Sequence, residues 1–180
     1  MDLETTAVWV VSDHGCKTMV GGLMFNQWLM NEGYLVFKVP PKPKQKFDYK
    51  DVNWDRTTAW GDGGYYGRLF INVKGREPNG TVEPAMYESF RDELAFKIEA
   101  IKDDKCLAMG NKCYKPEKIY KKVNGVAPDL VVIFGDLRWR SVGLVGADTV
   151  YTFENDTGPD DANHAQQGLY IVTHPSLPAR

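Results

Sequence analysis

The sequence predicts an α/β protein built from strands and helices layered around a sheet. Short runs rich in valine and isoleucine recur along the chain, and stretches with helical spacing of apolar residues stand between them. The clearest of those stretches, Pro84 to Lys102, lies between two such runs.

Ala7 to Val11 reads as a fully buried strand of a parallel sheet, because it is short, apolar and valine-rich and a polar loop follows. Gly22 to Glu32 reads as a helix with Leu23, Trp28 and Leu29 near one face, and Gly33 as its C-terminal cap. Tyr34 to Val39 is a second strand. The proline- and lysine-rich "PPKPKQKFDYKD" is expected to be irregular, so residues 39–56 read as a surface loop or insertion. "WGDGGYYGRLFINVKGREPNG" places glycines at 61, 63, 64 and 67 before an alternating strand, Leu69 to Val73, and a turn at Pro78-Asn79-Gly80. Pro84 to Lys102 is a helix with Pro84 in its first turn. Its stripe of Met86, Phe90, Leu94, Ile98 and Ile101 is core packing. A short helix is expected around Pro116 to Lys121, then two buried strands, "PDLVVIFGD" and "GLYIVTHP".

With 180 residues, 43% hydrophobic and 26% charged, the composition is that of a globular domain with a real core. The formal net charge of -2 exerts no general pull on nucleic acid or anionic membrane, so an anionic ligand needs a local cation or a metal. The three cysteines, Cys16, Cys106 and Cys113, lack zinc-type spacing. Reduced thiols in a cytoplasmic protein are the simplest reading, although Cys106 and Cys113 could pair. No apolar run approaches membrane-spanning length. A strand this close to Met1 suggests that earlier parts of a sheet lie upstream.

Ligands of α/β sheets bind beyond the carboxyl ends of strands, and Asp13 and His14 stand at such an end. A carboxylate beside an imidazole suits a zinc-like ion, and Gly15 can supply a sharp turn through its tolerance of positive φ. The competing reading makes Asp13 the N-cap of a following helix, with His14 exposed. His164 lies in a loop before the last strand, among Asp156, Asp160 and Asp161; that spacing lacks the fuller pattern of a calcium hand. His174 reads as a surface residue. "GDGGYYG" fits neither a phosphate-binding loop nor a dinucleotide motif, which leaves a tight turn or a glycine-lined site wall.

Taken in order, "VVSDHG", "NQWLMNEGYL", "GRLFINVKGREPNGTV", "APDLVVIF" and "ANHAQQGLYIV" resemble the alkaline phosphatase superfamily. The branch they resemble is that of phosphohydrolases related to type I phosphodiesterases and nucleotide pyrophosphatases. The resemblance implies an alkaline phosphatase-like α/β/α fold. It also implies two divalent metal ions, most often zinc and sometimes manganese, and a small phosphate ester or nucleotide as substrate. By likeness, Asp13 and His14 would bind one ion and His164 the other. The family's nucleophile and its remaining metal ligands lie upstream of such a "SDHG" strand. The chain is therefore expected to be the C-terminal part of a larger catalytic domain, inactive alone, and neither Ser12 nor Thr18 fits the nucleophile. Two alternatives are a phosphotransfer enzyme of the cofactor-independent phosphoglycerate mutase type and a binding module that keeps the fold without catalysis.

Overall fold

The computed structural model describes residues 5–154 and 161–174. In chain order the strands are β1 (Val8–Val11), β2 (Gly15–Thr18), β3 (Gly21–Met24), β4 (Gln45–Lys46), β5 (Ala59–Gly63), β6 (Gly67–Ile71) and β7 (Lys112–Tyr114), followed by β8 (Leu130–Ile133), β9 (Trp139–Val142), β10 (Leu144–Val145), β11 (Tyr151–Thr152), β12 (Ala162–Ala165) and β13 (Tyr170–Thr173). The helices are α1 (Phe25–Asn31), α2 (Tyr87–Glu99) and α3 (Pro116–Ile119). Mixed strands and helices of this kind are compatible with the α/β class.

The largest sheet has the order β5-β6-β8-β7 and is antiparallel throughout. Its inner face carries Ala59, Leu69, Ile71, Leu130 and Val132, all buried, and Phe134 just beyond β8 joins them. Alternation along β6 explains the sidedness: Gly67, Leu69 and Ile71 point inward while Arg68 and Phe70 point outward. Helix α2 adds Leu94 and Ile98 to the same cluster. Of the stripe expected from helical spacing, Met86 falls outside the core at 57% exposure, because residues 84–86 form a 3-10 turn that ends before α2 begins.

Helix α1 docks on β5 through a side chain that imitates a strand. Asn26 Nδ2 donates to the Gly61 carbonyl at 2.8 Å, and the Gly61 N–H donates to Asn26 Oδ1 at 2.7 Å. The helix is shorter than its spacing suggests, because Gly21–Met24 is a strand. In it, β3 lies between β11 and β9 and is parallel to β9. A Cβ at Gly22 would meet Val142 Cγ2 at 2.5 Å, so the glycines serve close strand packing. Gly33 does cap α1, with φ of 82°.

Three further expectations are corrected. Tyr34 to Val39 is not a strand; it makes one bridge, Phe37 to Val52, and buries Tyr34 and Leu35. The proline- and lysine-rich stretch carries β4, which pairs with β10, and 3-10 turns at Tyr49–Asp51 and Trp54–Arg56 follow it. Finally, β1 and β13 are neither buried nor parallel. They pair with each other antiparallel as a two-stranded ribbon, leaving Trp9 67% and Val11 68% exposed. The apolar run was read as covered on both faces, but among the described residues no element packs over it closely enough to bury it. No helix among the described residues is long and apolar enough to cross a membrane.

Candidate functional site

Two short ladders bring the histidines together. Strand β2 pairs with β12 antiparallel, and His164 stands opposite Cys16. His164 is thus a strand residue, not a loop residue as its polar surroundings suggested. Ser12 ties the ends of the two ladders, donating its N–H to the Leu169 carbonyl at 2.8 Å and accepting the Leu169 N–H at 2.8 Å through Oγ. Between them Asp13 and His14 turn the chain from β1 into β2. No helix follows, so Asp13 is not an N-cap.

Gly15 is required here, for a different reason from the one its sequence context suggests. It does not adopt positive φ. A Cβ on it would instead lie 2.2 Å from the Gln167 carbonyl oxygen, so only glycine lets the β2 entry pass that carbonyl.

The His14 and His164 rings lie with centroids 3.7 Å apart, and Tyr65 lies 3.5 Å from His164 on the same measure. His14 Nδ1 is 2.8 Å from the Gly15 carbonyl oxygen. Donation there keeps the proton on Nδ1 and leaves the Nε2 lone pair available. Asp13 Oδ1 lies 3.6 Å from that Nε2. Two donors on one tetrahedral zinc-like ion, each at about 2.0 Å, stand about 3.3 Å apart. The Asp13–His14 pair therefore fits one divalent ion in both donor chemistry and spacing. His164 stands beside this pair without closing a three-donor set: among the described residues no group of three His, Cys, Asp or Glu side chains forms a metal-holding cluster. Asp156 and Asp160 lie outside the described residues, and Asp161 is exposed. Burial pushes the His164 imidazole below its ordinary value, and the neighbouring His14 and Arg140 charges add to that while Asp13 opposes it.

Around the rings is an open cleft of about 340 Å³, with Tyr65, Arg140 and Asn163 joining the histidines in its wall. Sequence reading singled out none of these three. Tyr65 comes from the β5–β6 turn, so "GDGGYYG" forms both a tight turn and a wall of the cleft. Arg140 is on β9, and its Cζ lies 5.4 Å over the Tyr65 ring. Buried Asn163 donates Nδ2 to the carbonyls of Leu137 at 2.8 Å and Tyr65 at 3.3 Å, while its Oδ1 accepts the His164 N–H at 3.0 Å. Asn163 thereby fixes β12 against the turn that carries Tyr65. His174 is exposed, as expected. The three cysteines are free.

A second polar cluster lies away from this cleft. Asp129, 3% exposed, accepts the Ile71 N–H at 2.6 Å, two nitrogens of Arg76 at 2.7 and 2.8 Å, and the Tyr87 hydroxyl at 2.6 Å. Burial and then the Asp129 bond push the Tyr87 hydroxyl up to about 12. The cluster joins α2 to the sheet, and its carboxylate is fully engaged.

Comparison with known proteins identifies the chain. The model of the family "Type I phosphodiesterase / nucleotide pyrophosphatase" matches residues 2–160. The chain belongs to that family. The type I phosphodiesterase family is part of the alkaline phosphatase superfamily, consists of phosphoric ester hydrolases, and acts on small phosphate ester or nucleotide substrates. The family match takes in Asp13, His14, Tyr65 and Arg140 and ends before Asn163 and His164. No curated protein and no solved structure matches the chain.

Proposed function

We propose that this chain is part of a metal-dependent phosphodiesterase or nucleotide pyrophosphatase, with Asp13 and His14 holding one divalent ion and His164 a second. The observation that carries the reading is the juxtaposition at the cleft. Two imidazoles from opposite ends of the chain have centroids 3.7 Å apart, and one of them has a carboxylate oxygen 3.6 Å from its open nitrogen. Nitrogen and carboxylate oxygen donors suit zinc best and manganese next.

Bound divalent ions would supply charge neutralisation at phosphoryl oxygens and acidify the attacking oxygen in an in-line displacement. The chain's own residues hold and orient. The Gly15 carbonyl fixes the His14 ring, Asn163 fixes the His164 backbone, and Tyr65 packs against the second ring. Three donors do not complete two ions, so the remaining ligands and the nucleophile come from outside the described residues, and the chain alone is inactive. The exposed apolar β1–β13 ribbon is a surface that such additional polypeptide would cover. Three unpaired cysteines are in keeping with a reducing, cytoplasmic setting.

The test is hydrolysis of bis(p-nitrophenyl) phosphate by the protein expressed from its complete reading frame, with metal content measured in parallel. His14→Ala and His164→Ala should each abolish turnover and lower zinc or manganese occupancy. Wild-type turnover in both variants with added metal would overturn the site.

A further inference from the structure

A chain of formal net charge -2 needs a local cation to hold an anionic ester. Arg140 supplies one inside the cleft. It lies on β9 opposite Gly22 of the parallel neighbour β3, and it is only 8% exposed, so its backbone is set by the sheet and its charge is held within the fold. Its guanidinium lies over one face of Tyr65, whose ring in turn contacts His164. Arg140, Tyr65, His164 and His14 thus form one continuous row along the cleft wall.

Other polar groups nearby are committed elsewhere. Lys17, next to Cys16 on β2, is tied to Asp136 at 2.9 Å, and Arg68 to Asp62 at 2.7 Å. The amide of Asn163 is spent on two carbonyls. A guanidinium on an aromatic face keeps its orientation through cation–π attraction, and its planar fork matches two oxygens of a phosphoryl group, which a lysine ammonium cannot do.

We propose that Arg140 is the residue that binds the phosphoryl oxygens of the substrate in the His14/His164 cleft, with Tyr65 as its aromatic brace. The proposal rests on the hydrolase reading above, adding to it the residue that takes the anionic part of the ester. It needs no metal for its own test. Inorganic phosphate is titrated into the chain by calorimetry with a chelator present, and zinc is titrated separately.

The expected result is at least a tenfold loss of phosphate affinity in Arg140→Gln, an intermediate loss in Arg140→Lys, and zinc affinity within about twofold of wild type in both. Tyr65→Leu, which keeps the charge and removes the brace, should weaken phosphate binding by a smaller factor. Where Arg140→Gln does not fold, Arg140→Lys decides alone: weaker phosphate binding supports the proposal and wild-type binding overturns it. Unchanged phosphate affinity in a folded Arg140→Gln with intact zinc binding overturns the role of Arg140 and leaves the hydrolase reading standing. Arg140-dependent phosphate binding in a chain that takes up no zinc supports the anion site while removing the metal reading. A wild-type chain that binds no phosphate overturns the proposal outright.

Discussion

His14 and His164, near opposite ends of the chain, face each other with ring centroids 3.7 Å apart, because β2 and β12 pair in the register that sets His164 opposite Cys16. Metal binding should therefore clamp two ladders that are otherwise joined only by a short run of hydrogen bonds. Zinc at about one hundred times its dissociation constant stabilises a site-bearing fold by about 2.7 kcal/mol, a rise in Tm of roughly 5–10 °C for a chain of this size. That rise should appear in wild type and vanish in His14→Ala. It should also fade as the solution is acidified below about pH 6, since imidazoles must be neutral to ligate. Calorimetric melting with and without chelator reads all three.

Gly15→Ala should separate the same pair. The added methyl meets the Gln167 carbonyl at 2.2 Å, and a backbone atom cannot swing aside as a long side chain can. Either β2 or the segment after β12 must shift, so the zinc-dependent rise in Tm should be lost while the α2 core melts as before. Alanine at Gly64, where an added Cβ meets nothing within 4 Å, is the control and should leave the zinc response in place.

Asn26→Ala removes both halves of the strand-like bridge between α1 and β5, leaving the Gly61 N–H and carbonyl without that partner in a buried setting. At about 1–3 kcal/mol for each buried group left unsatisfied, the loss should be about 2–4 kcal/mol in urea unfolding. Asp129→Ala should cost about 3 kcal/mol, discounted because its partner Arg76 is partly exposed to water. The Arg76 side chain is 42% exposed, so screening recovers part of the loss.

The cysteines should separate by reactivity. Burial, with the Glu99 carboxylate adding to it, pushes the Cys113 thiol up to about 12, whereas Cys16 and Cys106 are exposed. Timed alkylation at pH 8 followed by peptide mass mapping should find Cys16 and Cys106 labelled first and Cys113 last. Cys16 lines the cleft, so zinc or phosphate should slow its labelling more than that of Cys106.

Local chemistry made part of this molecule readable in advance. Pro84, followed by Leu94 and Ile98 at helical spacing, announced α2, and alternation announced β6, because each pattern depends on neighbours a few residues away. The glycine at position 33 marked the end of α1 for the same reason. The metal-type chemistry of Asp13, His14 and His164 was equally plain as residue type, while Tyr65, Arg140 and Asn163 carried no signal. A tyrosine in a turn, an arginine in a strand and an asparagine before a histidine are ordinary residues until a fold puts them beside a reactive pair.

The failures share one cause. "AVWVV" and "GLYIV" have the composition of covered strands, but cover depends on what packs over them, and here each has only the other for a partner. Gly21 and Gly22 looked like a helix entrance until Trp139 and Val142 came close enough to exclude any Cβ. Residue type and spacing along the chain thus settle which side chains can ligate, bury or turn. Which of them meet is set by strand register between distant segments, since hydrogen-bond ladders such as β2–β12 join residues that no local pattern relates.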